Sequence, residues 1–144
     1  MGEMLTSLER ASHLIGAHVE RAARDLGITQ AEAHVLLQLD RHGSTSIAAL
    51  HHEFGMKRST LTNVLDRLEQ RTLIRRALSA DDRRSFTVHL TRQGASVARK
   101  VAAVIDELEA AVRSRVSKRD QRGVEAVVRA LAGIAETKLR DETD

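Results

Sequence analysis

The chain contains no cysteine, proline, tryptophan or tyrosine, and only two phenylalanines among its 144 residues. Without cysteine there can be no disulfide, thiolate metal site, cysteine nucleophile or thiol redox sensor. The aromatic rings are too few for the base-stacking platforms of RNA-binding sheets and single-strand binders. Phe54 and Phe86 both sit inside apolar patterns and read as core residues. The core must therefore come from Ala, Leu, Val and Ile, which with the missing proline favours long helices. Long apolar runs are also absent: the longest, residues 101–105 (VAAVI), is far too short to cross a bilayer. Glu3, Glu9 and Arg10 interrupt the N-terminal apolar residues, so no secretory signal is expected and the expected location is the cytoplasm. No Gly-rich phosphate loop, nucleophile elbow or paired acids beside a histidine occur, so neither an enzyme nor a cofactor is expected.

What is present is a foldable mixture, 42% apolar and 30% charged, of a length suited to a single domain over residues 1–144. Its formal charge of +3 conceals an uneven distribution. Between Lys57 and Arg92 nine basic side chains face four acidic ones, a net +5, while the remainder, with 14 basic and 16 acidic, is at −2. Arginine supplies 19 of the 23 basic residues. Its rigid fork suits phosphates and guanine edges better than lysine does.

Periodicity then orders the chain. Thr6 and Glu9 have capping-box spacing and open a helical pattern carried by Leu8, Ile15, Val19, Ala22 and Leu26, with Gly27 placed to end it. Thr29 and Glu32 form a second such box, starting a short helix with Val35, Leu36 and Leu39 inward. Residues 44–46 (STS) can cap a third, containing Ile47, Leu50 and Phe54, and a fourth runs from about Arg58 to Gln70 with Leu61, Leu65 and Leu68 buried. Short helices joined by Gly-bearing turns mark a helix-turn-helix. The period next falls to two: residues 73–78 are extended in character, and Phe86, Val88 and Leu90 alternate on one face, leaving His89 to solvent. The polar stretch between them makes this a hairpin, or wing. Helical spacing returns from Arg92, with Val97, Val101, Ile105, Leu108 and Val112 on one side, and Ser117 to Asp120 cap a last helix carrying Val124, Val127, Val128, Leu131 and Ile134. The expected fold is mainly α with a small β-hairpin wing. A winged helix-turn-helix core at about 29–91 is flanked by dimerisation helices at about 5–26 and 92–140. Those flanking helices have too little core of their own to cover, so a homodimer follows from packing.

The stretch Asp82, Arg84, Leu90, Thr91 and Gly94 resembles the wing signature of the MarR (multiple antibiotic resistance regulator) family: Asp-x-Arg, five residues, Leu-Thr, two residues, Gly. Residues 26–30 (LGITQ) with 35–37 (VLL) resemble the family's second-helix entry, and residues 58–62 (RSTLT) with 65–69 (LDRLE) its recognition helix. Two positions depart from the pattern. Thr72 stands where the family commonly has Gly in a left-handed backbone, and Lys57 where a capping Ser or Asp is frequent. The resemblance implies a winged-helix transcriptional regulator, acting as a repressor, that binds double-stranded operator DNA as a homodimer. It also implies modulation by a small-molecule effector, whose binding residues stay unassigned. With Leu61, Leu65 and Leu68 inward, Arg58, Ser59, Thr60, Thr62, Asn63 and Arg67 are the expected major-groove contacts. Arg84 is expected in the adjacent minor groove, Arg83 on phosphate or the same groove, and Asp82 as the acid that braces Arg84.

Seven histidines raise the question of metal. Adjacent helical residues such as His51 and His52 point about 100° apart, and His13 and His18 are five apart, a poor clamp, so no metal site is expected. The alternatives to the leading reading are an architectural DNA binder, a winged-helix adaptor, and a regulator sensing metal through distant histidines. No membrane partner is expected.

Overall fold

The computed structural model describes residues 2–80 and 85–141, the last three by backbone alone. The chain divides into two compact units, Met1–Asp106 and Glu107–Asp144.

The first unit opens with helix α1 (Glu3–Asp25). It begins one turn before the Thr6–Glu9 box, with Gly2 as N-cap, and the Thr6 amide is already bonded to the Gly2 carbonyl at 3.0 Å. The local box lost because Glu3 favours a helix N-terminus and Met4 and Leu5 extend the helical run upstream. At the other end the Ile28 amide reaches the Ala23 carbonyl and the Gly27 amide that of Arg24, a Schellman closure with Gly27 at φ 70°. Helix α2 (Gln30–His42) follows, with the Thr29 hydroxyl accepting from the Glu32 amide at 3.2 Å. Strand β1 (Thr45–Ser46) was not expected; it pairs with β3. Ser46 then caps α3 (Ile47–Phe54) through the Ala49 amide, and α4 occupies Arg58–Gln70. Strands β2 (Ile74–Leu78) and β3 (Phe86–Leu90) are antiparallel, and the sheet order is β1-β3-β2. Helix α5 (Arg92–Arg113) begins in this unit.

The core of the first unit is aliphatic. Leu36, Leu61, Leu65, Leu68, Ile74, Val88 and Val101 are each essentially inaccessible, and burying a side chain of this size contributes about 1.5–3 kcal/mol. The fully buried positions of α5 are Gly94, Ala98, Val101 and Ala102, with the expected Val97 and Ile105 half-buried against the same core. At Gly94 a Cβ would overlap the Leu73 carbonyl, so α5 starts in direct backbone contact with the approach to β2.

Phe86 is not a core residue. It lies at the far end of β3, 44% exposed, beyond the reach of the helices that cover Val88. His89 is not free in solvent either, because its Nδ1 lies 2.7 Å from the Ser44 hydroxyl. In α1 the burial is confined to Gly16, Val19, Ala22 and Ala23, while Leu14 and Ile15 stay exposed.

The second unit contains the end of α5 and α6 (Lys118–Asp141). Ser117 and Asp120 form the expected reciprocal cap: the Asp120 amide donates to the Ser117 hydroxyl at 3.1 Å, and the Ser117 amide to the Asp120 carboxylate at 3.1 Å. Val124, Val128, Leu131 and Ile134, expected to face inward, are exposed in the single chain. No helix among the described residues is long and apolar enough to cross a membrane.

Candidate nucleic-acid interface

Helix α4 is amphipathic in a way its sequence dictates. Leu61, Val64, Leu65 and Leu68 are buried, and Arg58, Ser59, Thr60, Thr62, Asn63 and Arg67 are all exposed. The six polar residues singled out from sequence thus stand on the open side of one helix. Lys57 is the N-cap and its side chain makes no capping hydrogen bond, so no side chain there satisfies the first-turn amides. A shallow cavity of about 270 Å³ at this end is lined by Ile47, Ala48, His51, Arg58, Leu61 and Thr62.

The only acids of α4, Asp66 and Glu69, are turned toward the sheet, where both share a single guanidinium. Arg76 of β2 donates from Nη2 to Asp66 Oδ1 at 2.7 Å and to Glu69 Oε1 at 3.1 Å, and from Nε to Glu69 Oε2 at 3.2 Å. The Arg76 hydrogen bonds hold the Glu69 carboxyl below the usual range for glutamate and raise the guanidinium in return. The first half of α4, Arg58 to Val64, carries no carboxylate of its own.

Two further arginines fix the helix from its other flanks. Arg67 Nε lies 3.3 Å from Glu32 Oε1, a carboxylate that also accepts the Thr29 hydroxyl at 3.1 Å. Arg71 Nη1 donates to the Gly27 carbonyl at 2.5 Å, joining the end of α4 to the turn after α1. Past Arg71, Thr72 is the one described non-glycine residue with positive φ, at 57°. It closes α4 by its amide on the Glu69 carbonyl, with the Leu73 amide on Leu68, both at 2.9 Å. Its carbonyl accepts the Thr91 hydroxyl at 2.6 Å, and Thr91 in turn caps α5 through the Gly94 amide.

Arg76, Arg71 and strand β1 had gone unread in the sequence, because each acts through a partner remote along the chain. Asp82, Arg83 and Arg84 lie outside the described residues. Among those described, no group of three His, Asp or Glu side chains is placed to hold a metal ion.

Residues 28–86, from just before α2 to the first residue of β3, match the model of the MarR family. The regulator PecS of Dickeya dadantii (strain 3937), described as an HTH-type transcriptional regulator, is 30% identical over 139 residues, covering 94% of this chain and 81% of PecS. The chain belongs to the MarR family. A second relative, the HTH-type transcriptional repressor MdtR of Bacillus subtilis (strain 168), is 32% identical over 94 residues, covering 65% of this chain; the match spans only 61% of MdtR. Among solved structures, MepR of S. aureus in its DNA-binding conformation superposes with a TM-score of 0.83 at 22% identity, over 91% of this chain and 98% of MepR. That likeness carries the MarR fold, a winged helix-turn-helix with a three-stranded antiparallel sheet. PecS and MdtR are described as regulators of transcription, not as enzymes.

Proposed function

We propose that this MarR-family chain is a transcriptional repressor that binds a specific duplex operator as a homodimer. The observation that carries the reading is the open face of α4. Arg58, Ser59, Thr60, Thr62 and Asn63 project from a helix whose opposite side is locked into the core, and its acids are held by Arg76. In the major groove Arg58 suits a guanine edge, Asn63 an adenine, and the hydroxyls base edges or phosphate. Arg67 holds α4 through Nε, and its exposed outer edge suits a phosphate. Arg84 is assigned to the minor groove, Arg83 to its walls and Asp82 to bracing Arg84, on the resemblance of the wing sequence alone.

The homodimer is supported by the apolar side chains that a single copy leaves open: Leu14 and Ile15 of α1, and Val124, Val128, Leu131 and Ile134 of α6. Two copies would present two recognition helices to half-sites about 34–36 Å apart on a near-palindrome. A small-molecule effector acts in this reading through different affinities for two spacings of those helices.

The test is a gel-shift titration of Arg58→Ala, Asn63→Ala and Arg84→Ala against duplex fragments selected by the wild-type protein. Each of the first two should cost about 1–3 kcal/mol of specific binding, and Arg84→Ala should lower the salt slope. Unchanged operator affinity in both α4 variants would reject this face.

A further inference from the structure

Helix α6 carries opposite chemistry on its two sides. Successive residues turn by about 100°, so Lys118, Arg122 and Arg129 fall within about 40° of one another and Arg119 about 60° beyond them. All four are exposed. Val124, Val128, Leu131 and Ile134 lie roughly 120–180° away from Arg122. Those are the apolar side chains that the homodimer reading covers, so the basic side stays outward of such a contact.

The acids nearby are engaged elsewhere. Asp120 is taken up by the cap, its carboxylate accepting from both the amide and the hydroxyl of Ser117. Glu125, at the edge of the basic side, lines a cleft shared with Val112 and Val116. The next acid on that side, Glu136, comes about two turns beyond Arg129. Among the described residues no carboxylate is within ion-pair distance of any of the four cations. The charge outside Lys57–Arg92 sums to −2 and hides this stripe, because acids elsewhere outnumber it.

A charged outer face usually serves solubility alone, but unpaired cations aligned on one stripe attract a polyanion. Three of the four are arginines, whose forks bind phosphate oxygens in pairs. Lys118 to Arg129 spans about 16 Å, the length of about five phosphates along one strand of a duplex. A duplex repeats its charge evenly over that length, which a straight helical stripe matches.

We propose that the basic side of α6 is a second, sequence-tolerant contact for the phosphate backbone of duplex DNA, so that the protein holds two duplex segments at once. The inference goes beyond the operator reading, since α6 and α4 belong to different units of the chain.

The test mixes the full chain at low ionic strength with short random-sequence duplexes, some carrying a donor dye and others an acceptor. Binding of a selected fragment at moderate salt is followed in parallel by anisotropy. Energy transfer should appear only with protein and fall with log salt at a slope near −3, about 0.9 for each phosphate contacted. Lys118→Gln, Arg122→Gln and Arg129→Gln combined should require at least about tenfold more protein for the same transfer, with affinity for the selected fragment unchanged within about twofold. Arg122→Lys with Arg129→Lys, which keeps the charge, should retain the transfer, and thermal melts check that both variants stay folded. Equal transfer by the glutamine variant and wild type overturns the inference. Absence of transfer while the selected fragment binds also overturns it, and leaves the operator reading standing. Poly-glutamate that binds wild type but not the glutamine variant, again without transfer, overturns it in favour of an acidic protein segment. Transfer by a protein that shows no preference for the selected fragment sinks the operator reading and leaves this inference in place.

Discussion

Arg67 Nε sits 3.3 Å from Oε1 of Glu32, and the Glu32 side chain is only 4% exposed against 52% for Arg67. The pair spans from α2 to α4. Removing Arg67 would leave a buried carboxylate with only the Thr29 hydroxyl, which should cost about 1–3 kcal/mol of stability. Arg67→Ala should therefore melt earlier than wild type, and Glu32→Gln should lower the melting point less, since a neutral amide tolerates burial better. Equal melting of Arg67→Ala and wild type in thermal unfolding would show that the pair contributes nothing.

Thr72 holds a left-handed backbone where glycine would be unstrained. Thr72→Gly should stabilise the fold by up to about 1 kcal/mol, less what is lost with its hydroxyl bond to Gln93. The melting point should rise by a few degrees, while Thr72→Val, which keeps the strain and loses the hydroxyl, should lower it.

Gly94→Ala should do the reverse. The added methyl would collide with the Leu73 carbonyl, a backbone atom that cannot swing aside. Overpacking of this kind costs about 3 kcal/mol or more, to be read from a urea unfolding curve. A wild-type midpoint would show that α5 is free to shift.

Acid should loosen the protein in two stages. Burial of the His34 imidazole lowers its proton affinity in the fold. The unfolded chain then binds more protons, so stability is complete above about pH 6.5 and starts to fall below it. Glu69 is held low chiefly by its hydrogen bonds with Arg76. A depressed carboxyl contributes stability that is complete above the unfolded value, about 4.3, and is lost as pH falls through the lower folded value. Unfolding midpoints against pH should show both windows. His34→Asn should remove the upper one and Arg76→Met the lower one; retention of the lower window in Arg76→Met would contradict the assignment.

Where the sequence could be read, the signal was local. The bounds Arg58–Gln70 and the caps at Thr29, Ser46 and Ser117 each follow from residues within a few positions of one another, while the left-handed site at Thr72 was marked only by the resemblance to the family. The six exposed polar residues of α4 follow from the 3.6-residue period once its leucines are placed inward. What escaped depended on distance. Strand β1 is two residues long and exists only through Thr45 and Ser46 pairing with Val88 and Thr87. Arg76 looks like any other basic residue until the hairpin folds it against Asp66 and Glu69. Phe86 carries the alternation of a buried strand but lies past the end of the surface that could bury it. On α6 the apolar stripe is as regular as expected, yet Val124, Val128, Leu131 and Ile134 are exposed.

The central claim, that two copies grip one duplex and read its sequence, is tested most directly by competition binding at fixed salt. Purified protein is titrated onto a genomic fragment that it selected, against excess random duplex, with its mass in solution measured alongside. The account predicts a dimer that prefers the selected fragment by at least about 10³-fold. A monomer, or a dimer with equal affinity for both duplexes, would contradict it.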